Sequence, residues 1–451
     1  MSNIEAYLND FNVDELIFDE IKDLGIIDYH NHLDPKEIYL DKPFENIGEM
    51  LLKTDHYKWR LMRAYGVDEK YITGSETTYK EKFEKFAEVV STAYGNPIKK
   101  WLELELYTFF KIKTPLSKKT ATRVWARANK YIKENRLSPR KCLKLTNVEY
   151  VATTDDVCDS LEYHAKIDDP DILVTPTFRT DMLMEFKDSS YLEKLENVSG
   201  VQIGGISSLE KALNERIRFF KSHKCSFSDI GIEHFPRRIA AREEADLTIK
   251  KLLAGEAIDS NAREGLQGYL YVFLGRAYYD NNIIMQIHIG ALRNPNTRAL
   301  ETIGRDAGFD SVGDVIPIRA LADILDQMGE KRPKAIIYTL NPAMYYPLIT
   351  LCGSFPGCMP GIAWWFNDHE RGIKEYLQAV SELSHIGVIP GMLTDSRSFL
   401  SFSRHTYFRE ILAEYLSSFY YDGEVNFDYY DIIKIAKDIS YYNIKNLIGL
   451  K

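Results

Sequence analysis

The sequence predicts an α/β protein built on a (β/α)8 barrel of the TIM type, and three observations carry this prediction. Eight short apolar runs are separated by amphipathic stretches in which apolar residues recur at helical spacing. Polar residues gather at the ends of these runs, where the loops of such a barrel form active sites. No G-x-G-x-x-G follows an early run, so the main alternative, a doubly wound open sheet, lacks its dinucleotide-binding signature.

The order of the elements divides the chain into four predicted segments. A helical lead-in over residues 4–23 and the first strand occupy 1–44, and a helical insertion subdomain without a convincing strand occupies 45–145. The rest of the barrel follows at 146–403, and C-terminal helices at 404–451 complete the chain. The predicted strands are residues 26–33, 149–153, 172–178, 226–232, 283–289, 335–340, 360–366 and 388–393.

Composition narrows the class of protein. The 451 residues carry 45% hydrophobic side chains and a net charge of −9, without the basic stripe that a nucleic-acid surface needs. The N-terminus lacks a secretory pattern, and no apolar run approaches the roughly 20 residues of a membrane span. Five scattered cysteines without a CxxC pair indicate reduced thiols in a cytoplasmic protein. The aromatic stretch at 415–421 packs either on its own barrel or on a neighbour, and we expect a homo-oligomer.

The first strand ends in a His-x-His pair, His30 and His32. Side chains two residues apart on a strand point the same way, so both imidazoles can bind one divalent metal ion. The alternatives are two histidines packed at a strand end and a pH-sensitive surface pair.

The last and fifth predicted strands add further polar groups. Asp395 and Arg397 also stand two residues apart, and the arginine keeps the aspartate ionised, as a metal ligand or as a base. A structural Asp–Arg pair is the alternative. His288 closes the fifth strand, either as a metal ligand or as a hydrogen-bonded core residue.

This strand-end set of His-x-His, His and Asp resembles the amidohydrolase superfamily. Many members hold two metals, bridged by a lysine or glutamate of the fourth strand; here that strand has neither, and Glu233 just beyond it is the only candidate. The resemblance therefore implies a mononuclear site.

Six motifs narrow the resemblance to the uronate (glucuronate) isomerase family, from near residue 20 to near 415. They are Asp-Tyr-His-Asn-His-Leu at 28–33, Asp-His-Tyr-Lys-Trp-Arg at 55–60, Pro-Thr-Phe-Arg at 176–179, Met-Gln-Ile-His-Ile-Gly-Ala-Leu-Arg-Asn at 285–294, Ala-Trp-Trp-Phe-Asn-Asp at 363–368 and Leu-Thr-Asp-Ser-Arg-Ser-Phe at 393–399. Two positions depart from the family pattern. Asn31 replaces a small residue, and residues 232–235 replace Ser-Asp-His-Gly, which leaves His234 in place.

The resemblance implies an aldose–ketose isomerase that interconverts D-glucuronate with D-fructuronate, and D-galacturonate with D-tagaturonate, through a cis-enediol. One divalent metal ion, zinc in preference to manganese, is expected on His30, His32, His288 and Asp395. Asp395 is expected to take part in the carbon proton transfer, with Arg397 holding its charge and orientation.

The same resemblance assigns the remaining site residues. Tyr57 would move the hydroxyl proton, and His56 would bind a sugar hydroxyl. Arg179 is our choice for the substrate carboxylate because a guanidinium matches a carboxylate with two hydrogen bonds, and Arg293 is the second candidate. Trp364 would wall the sugar. Without the family context, Tyr57 and Trp364 read as packing aromatics and Arg179 as a surface arginine.

Two other functions fit the same residues. A metal-dependent hydrolase of the superfamily would use the same ligands to activate water, but it would not need a hydroxyl-proton shuttle at Tyr57. A non-catalytic barrel that binds sugar acids would keep its ligand after Asp395 is lost.

Overall fold

The computed structural model describes residues 12–423 and 428–450. Its centre is a curled sheet of seven parallel strands in the order β1-β2-β3-β4-β5-β8-β9, and β6 and β7 form a small antiparallel pair beside it. The strands are β1 Ile26–Asp28, β2 Val148–Asp156, β3 Leu173–Arg179, β4 Phe227–Ile230, β5 Ile284–Ile289, β6 Ala291–Leu292, β7 Ser311–Val312, β8 Ala335–Thr339 and β9 Cys358–Pro360.

Helices connect the strands and cover the sheet. The first eight are α1 Val13–Ile21, α2 Pro35–Leu40, α3 Ile47–Leu52, α4 His56–Tyr65, α5 Tyr79–Thr92, α6 Pro97–Phe110, α7 Ala121–Asn135 and α8 Pro139–Leu145. The next eight are α9 Asp181–Glu185, α10 Ser190–Ser199, α11 Ile206–Ser222, α12 Arg242–Leu253, α13 Ser260–Asp280, α14 Thr297–Thr302, α15 Ile318–Gln327 and α16 Tyr345–Ser354. The last are α17 Glu370–Leu383, α18 Arg404–Tyr421, α19 Tyr429–Lys437 and α20 Asn443–Ile448, with a π-helical turn at Asp438–Tyr442.

Short 3-10 turns complete the described elements. They are Glu69–Tyr71, His164–Lys166, Gly329–Lys331, Pro342–Met344, Trp365–Asn367, Ile386–Val388 and Phe399–Ser403. The part of the predicted helical lead-in at residues 4–11 lies outside the described residues, and α1 occupies the part that follows. The four segment boundaries stay predictions.

The prediction of a parallel α/β sheet is confirmed, but the prediction of a regular eighth strand at 388–393 is wrong. Pro390 has no N–H to give to a ladder. The Gly391 carbonyl accepts from the Tyr29 hydroxyl at 2.6 Å. A Cβ on Gly391 would stand 2.0 Å from the Ile439 carbonyl oxygen, so the C-terminal segment covers this backbone closely. Side chains therefore take the hydrogen bonds that a strand would give to its neighbour.

The seventh predicted strand is also shorter than expected. β9 ends at Pro360, and the rest of the predicted run at 361–366 leads into the turn Trp365–Asn367. Trp365 has a φ of +52°, in the left-handed region that a strand does not contain.

Two apolar cores fill the molecule on either side of the sheet. One joins α1, the helices between β1 and β2, and the C-terminal helices; the other lies under the helices between β3 and β9. Tyr415 of the aromatic stretch is buried and bonds to Ser381 of the same chain at 2.9 Å. Among residues 12–423 and 428–450, no helix combines the length and apolar character that crossing a bilayer requires.

Candidate active site and metal centre

A cavity of about 780 Å³ opens where the parallel strands end. Among the described residues, every member of the predicted site except Tyr57 lines it. These are His30, His32, His56, Arg179, His288, Arg293, Trp364, Asp395 and Arg397. The sheet topology explains this convergence, because the carboxyl ends of parallel strands meet at one edge.

The strand predicted at 26–33 ends at Asp28, and His30 and His32 follow it. Asp395 and these two histidines form the centre of the cavity. The Nε2 atoms of His30 and His32 lie 3.3 Å and 3.1 Å from the same Asp395 oxygen, Oδ1. The other ring nitrogen of His32, Nδ1, lies 2.6 Å from the Thr154 hydroxyl, which fixes the ring orientation. Two backbone hydrogen bonds also connect the segments of these residues. Asp395 N donates to His30 O at 3.1 Å, and His32 N donates to Ser396 O at 2.9 Å.

The electrostatics of this triad favour an ionised carboxylate. Burial raises the pKa of Asp395, but the hydrogen bonds from His30 and His32 outweigh it and hold that pKa well below its ordinary value. Burial lowers the pKa of His32 to about 3. Burial opposes a proton on His30 as well, but the Asp229 and Asp395 carboxylates raise its pKa. Asp395 therefore carries a negative charge at neutral pH.

These three residues fit a divalent metal ion. Two imidazole nitrogens and one carboxylate oxygen are the ligand types of catalytic zinc sites. Ligand atoms each about 2.1 Å from a tetrahedral ion stand about 3.4 Å apart. The separations of 3.1 Å and 3.3 Å match that spacing. His30, His32 and Asp395 could therefore hold one ion, since their ligand atoms all lie within 4.8 Å of one another.

A second set of possible ligands overlaps the first at His30. It joins His30 with Asp229 and His288, whereas the described residues do not bring His288 into one set with His32 and Asp395. His288 Nδ1 lies 2.8 Å from Asp229 Oδ1, and its Nε2 is buried without a hydrogen-bond partner within the described chain. Arg179 lies 2.9 Å from the other Asp229 oxygen, so a cation already compensates this carboxylate.

Asp229 is the site residue that the sequence reasoning missed. It lies inside β4, where the register places it beside Arg179 of β3 and Gln286 of β5. Burial raises the pKa of Asp229, but Arg179, His30 and His288 outweigh burial and keep it ionised. The available signal was a carboxylate that is the one charged residue of a predicted strand, where an unpaired charge is costly.

Both departures from the family pattern have a place in the structure. Asn31 is fully buried, and its Nδ2 donates to Asp28 at 3.2 Å. The His234 side chain lines the cavity but is 92% exposed. Glu233 accepts from the Arg293 backbone N–H at 3.2 Å. Neither Glu233 nor His234 therefore belongs to a set of possible metal ligands.

Helix α4 carries His56 and Tyr57 to the site. Asp55 caps its first turn and accepts from the backbone N–H groups of Tyr57 and Lys58 at 3.0 Å and 3.1 Å. The buried Lys58 ammonium contacts Asp55 at 2.8 Å and Glu105 of α6 at 2.9 Å, which fixes α4 against α6. The Tyr57 hydroxyl is buried and has no hydrogen-bond partner among the described residues.

His56 and Arg397 meet at the cavity wall. Arg397 Nη1 lies 3.1 Å from His56 Nδ1, and Arg397 Nη2 lies 3.3 Å from Asp306. Burial, together with the Arg397 charge, lowers the pKa of His56 to about 4, so its ring is neutral at neutral pH. A neutral His56 can exchange hydrogen bonds with a hydroxyl group.

Arg179 and Arg293 add positive charge to the same cavity. Arg179 contacts Asp181 at 2.6 Å in addition to Asp229, so two carboxylates compensate it. Arg293 contacts one carboxylate, Asp310, at 2.9 Å, and its guanidinium lies 5.3 Å from the Trp365 ring centroid. Arg293 therefore keeps more uncompensated charge than Arg179.

Comparison with known proteins gives consistent matches over almost the whole chain. A sequence model of the family described as glucuronate isomerase matches residues 2–448. A uronate isomerase of Caldanaerobacter subterraneus subsp. tengcongensis is 44% identical over 443 residues, with 95% of each chain covered. A uronate isomerase of Clostridium perfringens is 40% identical over 433 residues, covering 93% of this chain and 92% of the relative.

Solved structures show the same similarity. The crystal structure of a uronate isomerase from Thermotoga maritima superposes with a TM-score of 0.92 and 32% identity, covering 97% of each chain. A glucuronate isomerase from Caulobacter crescentus superposes with a TM-score of 0.91 and 26% identity, covering 97% of this chain and 94% of the other.

Proposed function

The chain belongs to the glucuronate isomerase family, and from this premise we propose that it interconverts D-glucuronate with D-fructuronate and D-galacturonate with D-tagaturonate. In this reaction a hydrogen leaves C2 and arrives at C1, while a proton moves between the oxygens on those carbons. A cis-enediol is the intermediate that one base can form and collapse on one face of the sugar.

The observation that carries the proposal is the combination of two features in one cavity. The Asp395 carboxylate lies against His30 and His32, and arginines line the same space. The first feature suits proton transfer next to a polarised sugar oxygen, and the second suits an anionic sugar. A neutral sugar would offer these arginines hydroxyl acceptors but no opposite charge.

His30, His32 and Asp395 are the residues that we propose hold a divalent ion, zinc in preference to manganese. His288 was expected among these ligands. Because it contacts Asp229, we propose that it lies beside the ligands and does not itself bind the ion. Such an ion, when bound, would polarise substrate oxygen and so acidify the C2 hydrogen.

Asp395 and Tyr57 divide the proton transfers in this proposal. Asp395, ionised and aimed into the cavity, takes the C2 proton and returns it to C1. Tyr57 moves the hydroxyl proton; its hydroxyl is buried next to the site, and burial together with the Asp395 charge raises its pKa, so it is present as a proton donor. Arg397 was expected to hold the charge and orientation of Asp395, but its guanidinium lies against His56 and Asp306. We therefore propose that Arg397 holds His56, which bonds to a sugar hydroxyl.

Arg293 and Arg179 are proposed to bind the substrate carboxylate, with Arg293 supplying the uncompensated charge. Trp364 walls the sugar and donates its indole N–H to Asp395.

We propose three further properties of the protein. Residues 389–396 close the sheet into a barrel, which the two backbone hydrogen bonds to His30 and His32 support. A cytoplasmic location is consistent with five buried cysteines that are not bonded to one another in the described chain. Homo-oligomer formation is retained from the sequence prediction.

The test is to incubate the purified protein, loaded with zinc or manganese, with D-glucuronate and to follow D-fructuronate with a reductase that consumes only the ketose. Product supports the isomerase. The hydrolase alternative has no support among the relatives, and it predicts no ketose but release of acid from amides or esters. A binding barrel predicts uronate binding without turnover.

A further inference from the structure

Asp395 has an unusual backbone conformation for a residue at the centre of the site. Its φ is +44°, in the left-handed region that L-residues seldom occupy, although aspartate tolerates it better than most. Such a conformation persists where the surrounding structure enforces it. The residues that enforce it are therefore candidates for a role in the reaction.

The residue before it, Thr394, is held by hydrogen bonds on both sides. Its backbone N–H and its hydroxyl donate to the two carboxylate oxygens of Asp28, at 2.8 Å and 2.6 Å. Its carbonyl oxygen accepts from Arg404 Nη2 at 2.6 Å. Asp28 is 0% exposed, and Thr394 and Arg404 are each 2% exposed. We call these three residues the Thr394 brace.

The brace connects the segment of Asp395 to the end of β1, directly before the two histidines His30 and His32. Asp28 is the last residue of β1, two residues before His30. A displacement of Thr394 relative to Asp28 would therefore change the position of the Asp395 carboxylate against His30 and His32. Metal ligands depend on outer contacts of this kind for their orientation.

Arg404 also reaches the second proposed proton carrier. Its Nη1 donates to Asp368 at 2.8 Å, and its guanidinium carbon lies 5.2 Å from the centroid of the Tyr57 ring and 4.7 Å from that of Trp101. A buried cation needs such partners to offset its loss of hydration. One guanidinium thus contacts both the backbone before Asp395 and the ring of Tyr57.

We propose that Arg404 and Asp28 are positioning residues of the isomerase. Both hold Thr394 so that the Asp395 carboxylate faces His30 and His32. Arg404 also keeps the Tyr57 ring beside Asp395. The proposal deepens the proposed function and rests on it for the turnover measurement. Its metal-binding measurement does not depend on which substrate the enzyme uses.

The chain offers a matched control on the same helix. Arg409 of α18 is 3% exposed and donates to the carbonyls of Lys22, Leu24 and Gly25, away from the cavity. Arg404→Lys and Arg409→Lys each keep the charge and lose the planar fork of donors, so both should lower the thermal midpoint. Thr394→Val is a milder third variant, because it removes only the hydroxyl bond to Asp28.

Each variant is compared with wild type in three measurements. These are the thermal midpoint, the Zn²⁺ dissociation constant of the metal-free protein against a chromophoric chelator, and kcat and KM of the zinc-loaded enzyme with D-glucuronate. For Arg404→Lys we expect the Zn²⁺ dissociation constant to rise about tenfold or more and kcat to fall at least tenfold, with KM within about twofold. Thr394→Val should move the same two quantities in the same directions, and Arg409→Lys should leave both within about twofold.

The proposal would be overturned if Arg404→Lys and Thr394→Val both kept the zinc affinity and kcat of wild type, whatever their thermal midpoints. If Arg404→Lys does not fold, Thr394→Val decides by itself in the same way. A wild-type protein that turns over no uronate would refute the proposed function, whereas the zinc titrations would still support or overturn the brace.

Discussion

The indole Nε1 of Trp364 lies 2.6 Å from Oδ2 of Asp395, while His30 and His32 contact the other oxygen of the same carboxylate. The two oxygens thus have different partners, which fixes the plane of the carboxylate. Oδ1 faces the candidate metal position, and Oδ2 is bonded to a ring that also lines the substrate cavity.

Trp364→Phe should keep the aromatic wall and remove this donor. A hydrogen bond to a charged group contributes about 1.5–3 kcal/mol, so kcat should fall about tenfold to a hundredfold while KM changes little. Steady-state kinetics with D-glucuronate measure this. Trp59→Phe is the matched control, because it also removes an indole bond, to the Leu52 carbonyl at 2.7 Å, and should lower stability alone. Equal kinetic effects of the two variants would contradict the assignment.

Tyr57→Phe should separate catalysis from stability. The hydroxyl is buried without a hydrogen-bond partner in the described part of the chain, so its removal should not lower the thermal midpoint. Loss of a proton carrier should lower kcat about 10²- to 10⁴-fold. A variant with kcat within threefold of wild type would show that this hydroxyl does not carry the proton.

Metal content should distinguish the two overlapping ligand sets. His32→Asn removes one of three proposed ligands, so the purified protein should lose most of its bound metal. Asp229→Asn should retain its metal, since Arg179, 2.9 Å from Asp229, already opposes a cation at that carboxylate. Mass spectrometry of the metal after dialysis measures both. Loss from Asp229→Asn with retention in His32→Asn would place the ion in the second set.

Asp155 should make stability depend on pH. Burial raises its pKa to about 7, against about 3.9 for an unfolded chain, so the folded state binds the proton more tightly between these values. Its stabilising contribution is complete below pH 4 and is lost as the pH rises to 7, by about 1.4 kcal/mol per pH unit.

Asp155→Asn removes this titration, so the variant should gain stability relative to wild type from pH 4 to pH 7. The neighbouring His164 lies 3.7 Å from Asp155, and burial lowers its pKa to about 4, so its own titration falls at the acidic end of this range. Chemical denaturation of both proteins at several pH values measures the difference. A difference that is constant with pH would contradict the prediction.

Local spacing was enough to predict which residues meet in the cavity. His30 and His32, two residues apart just after β1, and Asp395, just after the predicted last strand, follow from their spacing and from the edge where parallel strands end. Asp229 required the register between β3 and β4, which pairs it with Arg179 and which no local pattern reveals.

The segment before Asp395 shows a second limit. Its apolar residues match a strand, but Tyr29, Asp28 and Arg404 take the hydrogen bonds of its backbone, and Arg404 lies ten residues after Thr394. The orientation of Tyr57 depends in the same way on the packing of α4 against a distant helix. Such long-range contacts are not encoded in periodicity.

The most direct test of the account uses D-glucuronate labelled with deuterium at C2, followed by NMR with wild type and Asp395→Asn, both zinc-loaded and with their metal content measured. We predict that wild type forms D-fructuronate as deuterium leaves C2, and that Asp395→Asn leaves the label at C2 and forms product at least a thousandfold more slowly. Product formation by Asp395→Asn within tenfold of wild type would contradict the central role of Asp395, and the absence of product from wild type would contradict the isomerase itself.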